Sequence, residues 1–372
     1  MNRPGDGARP GAAERARRRW GQHGGHRHGG RQADGDQGGG DQAGGGQAGG
    51  GQGGGGQGGG PQGTGRQRGE PLVVPRARFD SYYGRPIIKS PVWRSPDVPG
   101  YLFLGGLAGA SSVLAGFAQL TGNRELSRVS KTAAAGAIGL SAAALVHDLG
   151  RPERFVNMLR VFKVTSPMSV GSWLLALYGP CAGAAGACAV TGRLPRAGAL
   201  ATFGATALGP GIATYTAALL GDTAVPAWHD AHREMPYLFA GSAASAAGGL
   251  GMLAVRPAHA GQAVRFAVLG AAVELTAKSL LLRRLGPAAE PYQSGRPGTL
   301  MEAAEVLTAA GLAGAVLTAG RSRAAMAISG AALVAASALT RFGIFEAGLA
   351  SARDPKYTVG PQRERLRQRA SS

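Results

Sequence analysis

Long apolar runs are the feature that most constrains the fold of this chain. A helix that crosses a bilayer needs about 20 mainly apolar residues. Eight segments meet this need, approximately residues 98–121, 130–148, 168–191, 197–220, 237–255, 262–283, 303–320 and 324–350. Soluble helices carry charge along one face, and these segments mostly do not. The sequence therefore predicts an all-α polytopic membrane protein with eight transmembrane helices.

Glycine occurs in two different settings and divides the chain into regions. Residues 1–70 form a low-complexity Gly/Gln tail with almost no large apolar side chains. Such a composition cannot bury enough surface to offset the entropy of ordering, so we predict disorder there. We expect a juxtamembrane segment over 71–97, the transmembrane domain over 98–350 and a basic C-terminal tail over 351–372.

Small residues inside the apolar runs predict close packing between helices. "GGLAG" at 105–109 contains a GxxxG step, and "GSAASAAGGLG" at 241–251 offers a face almost free of side chains. Cys181 and Cys188 lie about 10 Å apart along one helix, which is too far for a disulfide. Their spacing supports neither a zinc site nor an iron–sulfur cluster in this chain, so we interpret them as packing residues.

The net charge of +19 raises the question of a nucleic-acid partner. "RARRRW" at 15–20 would suit phosphate binding. Much of the remaining Lys and Arg lies in short segments between apolar runs, or in "RERLRQR" at 363–369. That distribution is typical of anchoring beside anionic lipid headgroups, so we expect membrane lipid rather than nucleic acid as a partner.

An even number of spans places both tails on one side of the membrane, together with the second, fourth and sixth connections. Because the tails are strongly basic, the positive-inside rule predicts that both termini of this cell-membrane protein are cytoplasmic. The odd-numbered connections are short and plain. One face of the bundle is therefore expected to carry most of the polar chemistry.

The second connection, "HDLGRPERFVNMLRVFKVTSPMS" at 147–169, is long and mixed in character. Gly150 suits the end of the second span, and Pro152 suits the first turn of a new helix. The apolar residues that follow recur at helical spacing and predict an amphipathic helix lying in the membrane interface. They are Phe155, Met158, Leu159 and Phe162.

The fourth connection, "GDTAVPAWHDAHREMP" at 221–236, places Trp228 at the expected interface, next to a cluster of charged and histidine side chains. We predict that charged residues of this face dock a partner subunit, although they could also serve only to brace the loops. The predicted docking residues are Arg151, Glu153, Arg154, His229, His232 and Arg233.

Histidine positions bear on metal cofactors. No histidine lies centrally within a predicted span, so an integral haem is not expected. His229, His232 and a carboxylate could bind zinc. Hydrogen-bonded interface histidines are the favoured interpretation.

Ionisable residues inside spans are costly and mark either helix-joining ion pairs or a functional route. Glu274 and Lys278 are four residues apart on the sixth span and could neutralise one another. Arg341 lies in the eighth span. We favour ion pairs that join helices, and keep a proton route through Glu274, Lys278 and Arg341 as the alternative.

Two stretches carry a resemblance to a known family. "HDLGRPERFVNMLRVFKVTSPMSVGSW" at 147–173 resembles the DLGRP-x-RF…TSPMS-x-G-x-W stretch of the NrfD/PsrC family. "YTAALLGDTAVPAW" at 215–228 resembles the end of that family's fourth helix. The flanks at 82–93 and 341–359 resemble its actinobacterial branch, so the resemblance covers roughly residues 80–365.

The resemblance implies a membrane subunit with two four-helix bundles and neither haem nor iron–sulfur cluster of its own. It implies a quinone site near the membrane surface, with menaquinone as the expected pool. A docked four-cluster ferredoxin-like subunit would exchange electrons with the quinone, and a molybdopterin subunit would carry out the substrate chemistry. The chain would then be an enzyme only as part of this complex.

The resemblance also implies the residues of the quinone site. Tyr215 matches the family's fourth-helix tyrosine, which can donate a hydrogen bond to a quinone carbonyl. A proton exchanger is needed nearby, and position favours three candidates, with Trp228 beside them. The three are Asp222, His147 and Asp148. Some family members carry polar Asn and His residues in the first helix. This chain differs, since Tyr101 and Ser111 are the only evident polar side chains of any size there.

Three functions follow for testing. The leading one is a quinone-reactive anchor of a multi-subunit oxidoreductase. The second is a proton- or solute-translocating bundle, and the third is a purely structural anchor.

Overall fold

A computed structural model describes residues 87–89, 91, 93–151, 153–318 and 322–371. These residues belong to one compact unit, Pro71–Ser372. The predicted tail at 1–70, most of the juxtamembrane segment and Pro152 lie outside the described residues.

Within the described residues the chain is helical and contains no strand. Its α-helices are α1 Asp97–Leu120, α2 Arg124–Leu149, α3 Glu153–Met158, α4 Pro167–Thr191, α5 Pro195–Gly221, α6 Pro226–Asp230, α7 Met235–Ala254, α8 Gly261–Leu285, α9 Glu290–Gln293, α10 Gly295–Thr318, α11 Arg323–Arg353 and α12 Lys356–Ser371. Short 3-10 turns at Pro257–His259 and Gly286–Ala289 precede α8 and α9.

Eight of the described helices are 20 to 31 residues long, and each overlaps one predicted apolar run. Six of them, α1, α2, α4, α7, α10 and α11, are long and apolar enough to cross a membrane. The other two are α5, whose mean hydropathy is lowered by Gly, Thr and Pro, and α8, which carries several charged residues. Six candidate spans agree with the predicted polytopic membrane architecture. Whether the chain crosses six or eight times depends on α5 and α8.

Local sequence signals set the helix ends. The side chain of Asn123 accepts a hydrogen bond from the Leu126 amide and caps α2. Gly150 ends α2 with a φ of 70°, as predicted, because glycine adopts the left-handed conformation without steric cost. Ser166 then caps α4, because its side chain accepts a hydrogen bond from the Ser169 amide, and Pro167 occupies the first turn of the helix.

The second connection departs from the prediction at its C-terminal end. Helix α3 stops at Met158, and Phe162 lies beyond it with 60% of its surface exposed. The residues after Met158 include β-branched Val161, Val164 and Thr165, which favour helix less. The predicted amphipathic helix is therefore shorter than its apolar spacing suggested.

The long helices form two groups of four. Helices α1, α2, α4 and α5 pack around one another, as do α7, α8, α10 and α11. The groups meet where α1 and α5 contact α7, and where α1 contacts α11. This arrangement agrees with the expected pair of four-helix bundles.

Glycine faces bring these helices into backbone contact, as predicted. A Cβ added at Gly209 of α5 would lie 2.5 Å from the carbonyl oxygen of Gly109 on α1. A Cβ added at Gly248 would lie 2.5 Å from the Ala267 amide nitrogen on α8. The two cysteines are unpaired and pack against glycines of α5, which agrees with their interpretation as packing residues.

Candidate functional site

A cavity of about 120 Å³ lies within the first helix group. Its walls come from α1, α2, α4 and α5, with the short helix α3 and Trp93 beside them. Most of the lining is apolar, and the ionisable side chains that reach it are Tyr101, Asp148 and Tyr215. All three lie within the first or last two turns of their helices. The cavity is therefore at the end of the group that carries the second and fourth connections.

Tyr215 is held against a glycine. A Cβ added at Gly171 of α4 would lie 2.5 Å from Tyr215 Cε2, so only glycine leaves room for the ring. No hydrogen bond joins the Tyr215 hydroxyl to another described residue. This hydroxyl is therefore available as a donor inside the cavity.

Tyr101 and Asp148 approach the same cavity from α1 and α2. Tyr101 is buried, and its carbonyl oxygen accepts a hydrogen bond from Ser141 Oγ at 3.1 Å, which fixes α1 against α2. Asp148 is partly buried in the last turn of α2. The cavity thus combines two phenol donors with one carboxylate acceptor, a set that can bind and exchange protons with a small carbonyl compound.

His147 lies outside the cavity although it is adjacent to Asp148 in sequence. Its Nδ1 is 3.0 Å from Asp97 Oδ2, and 74% of its side chain is exposed. Neighbouring residues on a helix project in different directions, so only one of this pair reaches the lining. The structure brings Asp148 and Tyr215 together and leaves His147 at the surface.

Trp228 and Asp222 also lie outside the cavity. Trp228 is fully buried, and its indole nitrogen donates to the Ile344 carbonyl at 2.8 Å. Its ring stacks on Trp93, a lining residue, at 5.4 Å between ring centres. Trp228 therefore supports the wall from behind. Asp222 is exposed at the end of α5 and is not part of the lining.

The predicted docking residues are all exposed at the ends of the long helices. They are Arg151, Glu153, Arg154, His229, His232 and Arg233. Arg154 Nη1 donates to the Leu149 carbonyl at 2.9 Å, which satisfies one of the last acceptors of α2. Arg154 thus braces the loop, whatever else it contacts.

The two loop histidines bond to backbone. His229 Nδ1 is 3.1 Å from the Gly221 carbonyl, and His232 Nδ1 is 2.8 Å from the His229 carbonyl. Within the described part of the chain no group of three or more His, Cys, Asp or Glu side chains could hold a metal. The geometry fits hydrogen-bonded interface histidines.

The fourth connection, the sixth connection and the C-terminal segment are joined. Tyr292 donates to the Ala227 carbonyl at 2.7 Å, and Lys356 Nζ lies 2.8 Å from Glu290 Oε1. The hydrogen bond from Lys356 lowers the pKa of Glu290, and the same bond raises the pKa of Lys356. The fourth connection, the sixth connection and the start of α12 thus form one connected surface.

The prediction that Glu274 and Lys278 neutralise one another is wrong. Lys278 Nζ lies 2.6 Å from Glu305 Oε2 and donates to the Met301 carbonyl at 2.7 Å. Helix α10 supplies these partners, and Glu274 instead faces α11 and α7. Glu274 accepts hydrogen bonds from Thr340 at 2.8 Å and from Ser245 at 3.4 Å.

Arg341 is buried where the two helix groups meet. Its Nη2 donates to the Phe239 carbonyl at 2.8 Å, and its guanidinium carbon is 3.7 Å from the centre of the Phe239 ring. A Cβ added at Gly106 of α1 would lie 3.2 Å from the same Nη2. Its Nε and Nη1 atoms are buried without a hydrogen-bond partner.

Sequence reasoning missed two residues of the cavity. The sequence marks Tyr101 only as a polar group of the first helix and Gly171 only as part of a motif. Tyr101 lies one turn from the start of its span, at the same membrane side as Tyr215 and Asp148. This position is the signal that could have identified it. The contact between Gly171 and Tyr215 depends on the crossing of α4 and α5, for which one sequence offers no signal.

The apolar helices and their two groups define a polytopic helical membrane protein. It has a small, mostly apolar cavity at the end that carries the second and fourth connections. The model of the polysulphide reductase NrfD family matches residues 88–264, so this part of the chain, from the segment before α1 to the first turn of α8, is an NrfD domain. Membrane subunits of that family generally work with other redox subunits. A comparison with curated proteins gave no match.

Proposed function

We propose that the chain is the quinone-reactive membrane anchor of a multi-subunit oxidoreductase, and that it passes electrons between the menaquinone pool and a docked iron–sulfur subunit. Membership of the NrfD family fits a membrane anchor subunit of this kind. The observation that carries the proposal is the Tyr215 hydroxyl, which has no partner among the described residues and lines a cavity shared with Asp148.

The cavity residues fit the head group of a quinone. Leu145, Leu175 and Phe155 offer apolar surface to a flat ring, and the phenols offer donors to its carbonyl oxygens. A bound quinone supplies two-electron, two-proton redox chemistry. Tyr215 would hold one carbonyl oxygen, and Tyr101 would orient the ring from the opposite helix.

Asp148 would move the protons. It lines the cavity from the last turn of α2, close to the aqueous surface, and it is only partly buried. A carboxylate in this position can accept a proton from the cavity and release it to water. The His147–Asp97 pair lies at the surface beside it, where it could exchange protons with bulk solvent.

The proposal includes eight crossings. Helices α5 and α8 have 27 and 25 residues, which at about 1.5 Å per residue exceeds a hydrocarbon core of about 30 Å. Each packs within a group whose other members are apolar enough to span. Both described ends of the domain then lie on the side of the even connections, which we assign to the cytoplasm of a cell membrane.

The partners follow from the same arrangement. A ferredoxin-like iron–sulfur subunit would dock on the polar face formed by the even connections, near the cavity mouth. A molybdopterin subunit would complete the complex and act on the terminal substrate. Arg151, Glu153 and Arg233 are exposed there and offer charges for docking.

The test is Tyr215→Phe in the purified complex. We expect quinol-linked electron transfer to fall about tenfold, the scale of one lost hydrogen bond, with assembly unchanged. Tyr237→Phe is the matched control, because Tyr237 is exposed and lies outside the cavity. Equal turnover in both variants would remove Tyr215 from the site.

A second candidate function is proton translocation, and the unpartnered nitrogens of Arg341 favour it. Buried polar groups without partners in a membrane bundle call for bound water. Water there would connect Arg341 with Glu274 and its hydroxyl partners. Lys278 is excluded from this revised route because Glu305 and the Met301 carbonyl already engage it.

The proton-translocation candidate is tested in vesicles that contain the complete complex and a pH-sensitive dye. Glu274→Gln should abolish proton movement while electron transfer continues, and Glu302→Gln, an exposed acid on α10, should not. Unchanged proton movement in Glu274→Gln would exclude this function.

A further inference from the structure

An apolar groove of about 320 Å³ lies on the outer surface between α7 and α8, away from the cavity described above. On one side it is lined by α8 between Ala272 and Leu280. On the other side it is lined by Glu234 and Tyr237 at the start of α7. The groove therefore begins at the polar face and continues along two turns of a helix.

The end of the groove near the polar face carries an ion pair. Arg284 Nε lies 2.6 Å from Glu234 Oε1, and this hydrogen bond lowers the pKa of Glu234. The charge of Arg233 lowers the pKa of Glu234 further, after the larger effect of the hydrogen bond from Arg284.

Two further arginines flank this end. Arg233 precedes Glu234, and Arg283 lies three residues after Leu280, on the same side of α8. Both are exposed, and neither forms an ion pair with an acid of the described residues. Arg233, Arg283 and Arg284 thus outnumber the two carboxylates beside them, Asp230 and Glu234, and the local charge is positive next to an apolar channel.

We propose that this groove is a binding site for one anionic phospholipid, with an acyl chain along α8 and the phosphate between Arg233 and Arg283. The inference depends on the proposed placement of α8 in the membrane. Apolar lining accounts for the chain, and the two exposed arginines account for a preference for negative headgroups. Tyr237, whose exposed ring lies at the mouth, suits the headgroup level of the bilayer.

The experiment uses the delipidated full chain and native mass spectrometry with phosphatidylglycerol or phosphatidylcholine added. We expect one retained phosphatidylglycerol, with binding roughly fivefold weaker for each of Arg233→Gln and Arg283→Gln. Arg265→Gln is the matched control, since Arg265 is exposed at the opposite end of the same helix. Ala272→Phe, at an exposed position in the groove, should block binding without disturbing the core.

Equal retention of the two lipids, or equal effects of Arg265→Gln and Arg283→Gln, would overturn the proposal. Unchanged retention of phosphatidylglycerol by Ala272→Phe would also overturn it. Leu269→Cys tests separately whether α8 lies in the membrane. If a water-soluble maleimide labels this variant more than the parent chain, α8 lies outside the bilayer. None of these measurements depends on quinol turnover.

Discussion

The ring of Tyr215 lies against the backbone of Gly171, and the α4–α5 contact has no room for a methyl group between them. Gly171→Ala should therefore displace the tyrosine and lower quinol-linked electron transfer by about tenfold, because small displacements of a positioned group are costly. Gly179→Ala, on the same helix with nothing within 4 Å of the added atom, is the control. If both variants turned over at the parent rate, the packing of Tyr215 would be irrelevant to function.

The Lys278–Glu305 ion pair joins α8 to α10. Glu305→Gln should lower the free energy of unfolding by about 1 kcal/mol, a modest loss because 54% of the Glu305 side chain is exposed. Thermal unfolding in detergent measures it, with Glu302→Gln as the matched acid. A larger effect of Glu302→Gln would show that the ion pair is not what joins these helices.

Trp228 links the fourth connection to α11. Trp228→Phe removes the indole hydrogen bond to Ile344 and part of the stack on Trp93, and should cost about 1–3 kcal/mol of stability. Quinol affinity should change little, because Trp228 supports the cavity wall without lining it. A large loss of affinity at unchanged stability would place Trp228 in direct contact with the ligand.

The contact between Lys356 and Glu290 makes attachment of the C-terminal helix depend on pH. The pKa of Glu290 is lowered, so its contribution is present at neutral pH and lost as pH falls through that lowered value. The pKa of Lys356 is raised, so its contribution is present below its ordinary value and lost only at high pH. The protection factor for hydrogen exchange at α12, the ratio of the intrinsic to the observed rate, should therefore fall in acid.

Glu290→Gln provides the control for this pH effect. It should show a low protection factor at α12 already at neutral pH, with little further loss in acid. A loss of protection in acid that persisted in the variant would assign the effect to another group.

The sequence predicted the helices well because crossing a membrane requires long apolar runs that are visible residue by residue. It also predicted, through the resemblance and their positions at helix ends, that Tyr215 and Asp148 lie close together, and both line one cavity. It did not separate Asp148 from His147, since which of two neighbours faces inward depends on helix rotation. The partners of Glu274 and Lys278 come from other helices, so helical spacing alone gave the wrong pair.

The most direct test of the central claim is binding of menaquinone to the purified full chain, followed through quenching of tryptophan fluorescence. Trp93 lines the cavity, so a bound quinone should quench it. The account predicts saturable quenching that is weakened about tenfold by Tyr215→Phe and left intact by Tyr237→Phe. Non-saturable quenching, or equal quenching in both variants, would contradict it.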